Sequence, residues 1–218
     1  MKGLLRNNFY ATLSNAKTFS VILLFLGIFV VAMDNTIATL IIDYMLLVMI
    51  GFSFNSIASV RKESATKWHK YKLTAPVRRT DIVKSLFVSE LLWLAVGITF
   101  AAVSTALSIS LHGNPFDRNM DIFMLFVIGV GISLFMGAIF FPLFFLGGEE
   151  RNEVSLILGL LGAVGCIMGL KTLINAFFPA GMTDLQLFLS GVMILACGIL
   201  AFAVSCPLTA CIFHKREY

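Results

Sequence analysis

Six long apolar runs dominate the chain, and its polar residues collect in the short stretches between them. The runs cover about 18–33, 36–60, 82–110, 120–146, 154–170 and 185–213, each near the ~20 apolar residues that carry a helix across a bilayer. The first is short for a full crossing, so its start belongs nearer Ser14. The third, at about 1.5 Å per residue, exceeds the ~30 Å hydrocarbon thickness and must tilt or project. Pro142 and Pro207 lie near the ends of the fourth and sixth runs, and a kink is expected at Pro142. Tight polar turns stand at Asp34-Asn35, 112–117 and 147–153.

Two further segments are apolar without spanning. Within 1–17, Leu4, Leu5, Phe9, Tyr10 and Leu13 form a stripe among Lys2, Arg6 and Lys17. That pattern suits a helix on the membrane surface, with a frayed tail as the alternative. Residues 171–184 carry Leu173, Ile174, Phe177, Phe178 and Met182 but are broken by Pro179 and Gly181. They read as one or two short helices dipping into the outer leaflet, the irregular backbone shielded by protein. The predicted fold class is therefore all-α: one transmembrane domain over 1–218 with six transmembrane helices, an amphipathic N-terminal helix and a re-entrant outer segment.

One long polar stretch interrupts the pattern, at 61–81. It holds seven basic residues, Arg61, Lys62, Lys67, Lys70, Lys72, Arg78 and Arg79. Ala65, Trp68, Tyr71 and Ala75 recur at three, three and four, one apolar face of a helix. Glu63 precedes Lys67 by four, the favourable order for a helical ion pair. Pro76 disfavours helix at Ala75, and Thr80 or Asp81 can cap the next helix. The segment is either a solvated basic loop with an interfacial aromatic pair or a docking element for a soluble partner.

Composition sharpens this. The chain is 59% hydrophobic and 13% charged, with mean hydropathy +0.94, about half the charge of a soluble domain, so its surface faces lipid. The net charge of +4 does not point to nucleic acid, because the basic residues sit between spans. With both termini inside, 14 of the 16 Lys and Arg fall on the inner side, leaving Arg118 and Lys171 outside. That bias puts both termini and 61–81 in the cytoplasm. The four cysteines, Cys166, Cys197, Cys206 and Cys211, lie in apolar runs without metal spacing and read as small core residues. Gly165 and Gly169 form GxxxG, a close-packing motif within one subunit or between two.

Catalytic motifs are missing. There is no phosphate-cradling GxxxxGK[ST], no G-x-S-x-G, and His69, His112 and His214 cannot make HExxH. Three polar residues within or near the spans, Asp43, Asn55 and Glu90, are candidates for a conduit, since intramembrane carboxylates default to function. Glu90 alternatively lies near the inner water interface, because its span is overlong. Asp43 fits an outer vestibule or a buried hydrogen bond equally well. No chain of partners marks either as a proton relay.

Six spans, cytoplasmic ends and a first cytoplasmic loop reading E-x4-W-x2-Y-x4-P-V-x-R, then I-V, resemble the ABC-2 family of ABC-transporter permeases. The positions are Glu63, Trp68, Tyr71, Pro76, Val77, Arg79, Ile82 and Val83. The usual Leu-Pro-Val-Ser-Arg is here Ala75-Pro76-Val77-Arg78-Arg79, a lysine often found ten residues past the proline is Leu86, and the Lys after Pro142 is missing. The small size and Phe-rich spans look most like the bacterial subfamily that includes the permeases of the staphylococcal phenol-soluble modulin exporter.

The resemblance implies a permease subunit of an exporter in the bacterial cytoplasmic membrane, with no cofactor or ATPase motif of its own. ATP and Mg would sit on a separate cytoplasmic ABC ATPase. The partners implied are that ATPase, a second permease as homo- or heterodimer, and membrane lipid. Glu63, Trp68, Tyr71, Pro76, Arg78 and Arg79 would couple to the ATPase, an amphipathic helix in a groove. Phe177, Phe178 and Pro179 would belong to an outer gate, and the substrate would be amphipathic or hydrophobic, a peptide first. The alternatives from other classes are a peptide-immunity or scaffold protein and a small channel.

The orientation can be checked directly. A cysteine placed at Asp117 should react with an impermeant maleimide from outside, and one placed at Lys70 should not. The reverse pattern would remove the orientation and the docking reading together.

Overall fold

The computed structural model describes residues 2–32, 38–65, 78–113, 116, 119–147, 151–177 and 183–215. They form six helices: α1 (Lys2–Ala32), α2 (Ala38–Ala65), α3 (Arg79–His112), α4 (Asn119–Gly147), α5 (Asn152–Phe177) and α6 (Asp184–Lys215). All six are long and apolar enough to cross a membrane. With 26 to 34 residues each, they run about 39–51 Å and project past the hydrocarbon. Every helix is longer than the apolar run that predicts it, because helical hydrogen bonding continues into the polar flanks.

The extensions change several expectations. Residues 2–17 are not a separate element; they are the first half of α1, with nothing between Gly3 and Lys17 to break the helix. Thr80 and Asp81 do not cap α3. Arg78 occupies the N-cap in extended geometry, its carbonyl accepting from the Asp81 amide at 2.9 Å. Asp81 lies in the first turn, where its negative charge still suits the helix dipole. Residues 61–65 are the last turn of α2, and the rest of the predicted loop helix, 66–77, lies outside the described residues. The segment 171–184 is helical from Lys171 to Phe177 as the end of α5 and again from Asp184 as α6, with 178–182 outside the described residues. Helices α4 and α6 run continuously through Pro142 and Pro207.

Helix α4 is the centre. From Ile122 to Gly147 its only hydroxyl is Ser133, and a helix apolar on all sides belongs inside a bundle. It packs on α2, α3, α5 and α6, while α1 lies against α2 and α3. Phenylalanines make much of the contact. Phe87 of α3 meets Phe141 of α4 at 4.5 Å and Phe202 of α6 at 4.8 Å. Phe145 of α4 meets Phe213 of α6 at 4.8 Å. Such offset and edge-on pairs add to the value of the area they bury.

Small residues let backbones approach where phenylalanine cannot. Gly97 of α3 faces the Met49 backbone and Phe52 of α2, and Gly159 of α5 faces Phe140 and the Met136 carbonyl of α4. Gly165 and Gly169 differ: a methyl added to either meets nothing within 4 Å. The GxxxG pair therefore makes no close contact with the described residues.

Polar contacts order the ends of the bundle. Asn8 Nδ2 of α1 donates to Ser85 Oγ of α3 at 3.1 Å. Thr12 Oγ1 of α1 reaches Ser59 Oγ of α2 at 2.8 Å. Arg79 Nη1 of α3 donates to the Phe213 carbonyl of α6 at 3.4 Å. The start of α1, the end of α2, the start of α3 and the end of α6 thus lie together. The start of α1 and the end of α6 share one face of the protein with the last turn of α2 and with Arg78, the residue before α3.

The glycine contacts can be tested by contrast. Gly159→Val must push into the α4 backbone and should cost about 1–3 kcal/mol. Gly165→Val, on open surface six residues later in the same helix, should stay within about 0.5 kcal/mol. Thermal unfolding in detergent should show a lower midpoint for the first variant only; equal midpoints would contradict the packing.

Candidate functional site

At the face that carries the termini, α3 begins with two arginines of different fate. Arg78 is exposed. Arg79 is half-buried and clamps the end of α6, its Nη1 on the Phe213 carbonyl and its guanidinium 5.7 Å from the Phe213 ring centroid. A cation near a helix C-terminus satisfies a carbonyl that has no partner within the helix, and the aromatic face adds to the attraction. Glu63 falls in the last turn of α2, its side chain outside the described part. Trp68, Tyr71 and Pro76 lie outside the described residues, as do Phe178 and Pro179; Phe177 ends α5.

The three candidate conduit residues do not come together. Asp43 is exposed on α2, so it forms no buried bond to a neighbouring helix. Asn55 is half-buried and donates from Nδ2 to the Gly51 carbonyl of its own helix at 3.0 Å. Glu90 is 1% exposed. It is buried within the bundle, about 16 Å along α3 from its start at Arg79.

Glu90 also has partners that one-dimensional reading missed. Ser53 Oγ of α2 donates to Glu90 Oε1 at 3.1 Å. The carboxyl group fills the notch left by Gly137 of α4, where an added methyl would overlap both oxygens. Three helices therefore meet at one acid. Its Oε2 is buried without a partner among the described residues, as is Nε1 of Trp93 one turn further along α3. The Trp93 ring is stacked between Phe9 of α1, at 5.2 Å, and Phe52 of α2, at 6.2 Å.

A band of buried hydroxyls joins this acid to the terminal face. Ser53, Ser56 and Ser59 recur every third residue on α2, and Ser85 and Ser89 accompany Glu90 on α3; all are buried. Thr12 bridges to Ser59, which donates to the Ser56 carbonyl at 2.7 Å. Such small polar residues bond between spans while letting them approach closely. The three-residue spacing of serines was the signal available in the sequence. Gly137 had none, since it is one glycine among 17. Among the described residues, no cluster of His, Cys, Asp and Glu could hold a metal ion.

The family model for the ABC-2 family transporter protein matches residues 3–214, all six helices. The chain belongs to the ABC-2 transporter family. No curated protein and no solved structure matches it. An ABC-2 protein is the permease component of an ABC transporter, a multi-pass membrane subunit that pairs with an ABC ATPase subunit. In this ABC-2 permease, Arg79 joins the exit of the α2–α3 loop to the last helix. Glu90 joins α2, α3 and α4 in the interior. Both sit on α3, the helix that leaves the loop.

The Glu90 contact makes a defined prediction. Gly137→Ala puts a methyl where the carboxyl group lies and should destabilise by about 1–3 kcal/mol. In a Glu90→Ala background that methyl has room, so the same change should cost far less, a coupling of about 1 kcal/mol or more. A double-mutant cycle on detergent-solubilised protein measures this, and additive costs would count against the contact.

Proposed function

We propose that this permease is the membrane half of an exporter that moves amphipathic or hydrophobic molecules, peptides foremost, across a bacterial cytoplasmic membrane. On this reading a separate ATPase docks on 61–81, a second permease completes the conduit, and ATP-driven closure of the ATPases moves α3. The positive-inside bias puts the terminal face of the bundle in the cytoplasm, where an ATPase can reach the loop. The lipid-facing walls are apolar, and besides small hydroxyls the interior of the bundle offers few polar groups, Glu90 chief among them. A strongly hydrophilic solute would cross them poorly solvated. Phe177, the last residue of α5, stands at the opposite end, where an outer gate is needed.

The observation that carries the coupling reading is the Arg79 clamp. Motion delivered to Arg78 does not stop at α3; through Arg79 it reaches the end of α6, which packs along the central α4. A helix floating on lipid needs no such join. Trp68 and Tyr71 are then anchors in a groove of the ATPase, and truncating buried aromatic anchors typically costs about 2 kcal/mol or more, around thirtyfold in affinity.

Trp68→Ala combined with Tyr71→Ala should leave membrane insertion intact, release the ATPase in pull-down and abolish transport of amphipathic helical peptides. Arg79→Ala should keep the ATPase bound and lower transport. Retention of the ATPase by the double mutant at wild-type levels would refute docking on this face.

A further inference from the structure

Two observations meet where α2, α3 and α4 converge. The first is how closed the junction is. Glu90 and Ser53 are buried, and Gly137 of α4 leaves no room for even a methyl beside the carboxyl group. The second is how little holds the carboxyl group there. Ser53 Oγ donates one hydrogen bond to Oε1 at 3.1 Å, and Oε2 has no partner among the described residues. Trp93 Nε1 is a buried donor one turn along the same helix. It does not bond to the carboxyl group either, since it too has no partner there.

A carboxylate taken out of water needs a neighbouring cation or several donated hydrogen bonds. None of the helices packed on α3 brings a cation to this depth. On α3 itself the nearest basic residue is Lys84, which is exposed and about 9 Å nearer the termini. Helix α2 carries no charged residue between Asp43, which is exposed, and Arg61. Its Tyr44 hydroxyl is spent on the Leu23 carbonyl of α1. Helix α4 carries no charge between Asp121 and Gly147, and α6 carries none between Asp184 and His214. The α6 cysteines, Cys197, Cys206 and Cys211, are all at least partly exposed. On α1, Arg6 and Lys17 are exposed, and Arg6 lies over the Tyr10 ring. A bound metal ion fares no better, because one carboxyl group and one hydroxyl fall short of the about six oxygens that a hard divalent cation takes. A proton needs no further ligand. It removes the charge and leaves the bond from Ser53 to the carbonyl oxygen intact.

We propose that Glu90 is a proton-binding site: the junction of α2, α3 and α4 closes on the neutral carboxylic acid and opens when the proton leaves. The inference rests on the packing of three helices and not on the coupling reading. Uptake places one proton from water on Oε2, and no other covalent bond forms or breaks. A glutamate in water ionises near its ordinary value of about 4.3. Above that pH the closed junction therefore holds one proton more than the opened one. Raising the pH favours the opened junction, by at most about tenfold per pH unit for a single proton.

The test reads the acid directly, on the full-length protein in phospholipid vesicles. Infrared spectra near neutral pH should show the carbonyl stretch of a protonated carboxylic acid, and isotope-labelled glutamate should shift it. Glu90→Gln should lose this band. Ser53→Ala should keep it and move it to higher wavenumber, because the carbonyl loses its hydrogen bond; that shift assigns the band even if Glu90→Gln fails to fold. A second readout is the thermal midpoint in detergent. Between about pH 6 and about pH 9 it should fall more steeply for the wild type than for Glu90→Gln, which keeps a neutral side chain of the same shape and has no proton to lose. Absence of a protonated band near neutral pH, a band that survives Glu90→Gln, or equal slopes for the two proteins would overturn the proposal. So would a band that sodium removes at constant pH, the mark of a cation site.

Discussion

Hydrocarbon offers no hydrogen bonds, and this protein is arranged around that fact. Every backbone amide and carbonyl within the bilayer must find its partner inside the protein, which leaves helices as the answer for each crossing. The same pressure acts on side chains. Ser59, Ser85, Ser104, Thr105, Ser133 and Thr209 each donate to a carbonyl three or four residues earlier in their own helix. Ser205 is an exception that crosses between helices, donating to the Ala138 carbonyl of α4 at 2.7 Å. Against that background the second carboxyl oxygen of Glu90, buried without a partner among the described residues, stands out.

Once the helices exist, lipid supplies no hydrophobic drive to pack them, since tails are as apolar as leucine. Close fit has to do it. Gly97, Gly137 and Gly159 admit a neighbouring backbone or a carboxyl group, and phenylalanine fills the remaining volume around α4. The packing is uneven. Helices α4 and α6 share a long interface, whereas α5 touches little besides α4, and α1 holds α3 at one end only. The loosely held margins are where an ABC-2 permease has surface to offer to lipid or to another subunit.

The two features of α3 fit together mechanically. Arg79 joins its start to the end of α6, and Glu90, about 16 Å further along, joins its middle to α2 and α4. A displacement entering from the loop would act on a helix fixed at two points to the core of the bundle. Those two joins hold α3 to the bundle more firmly than its lipid-exposed side suggests.

Much of this architecture was legible in the chain itself. Six apolar runs of spanning length require six helices because the bilayer allows little else, and the family resemblance rested on residues 63–83, which lie together in sequence. The helix ends were less legible: hydropathy marks where lipid stops, while hydrogen bonding continues until the backbone turns, so α1 absorbed 2–17 and α5 ran on to Phe177. The Glu90 node was beyond sequence reading. Its parts, Ser53, Glu90 and Gly137, come from three helices, and no periodicity within one helix records which residues of another will face it. The roles of the glycines divided in the same way. Gly165 and Gly169 carried the recognisable motif yet face open space, and Gly137 carried no motif yet receives a carboxyl group, because which face of a helix is covered is settled by the packing of its neighbours.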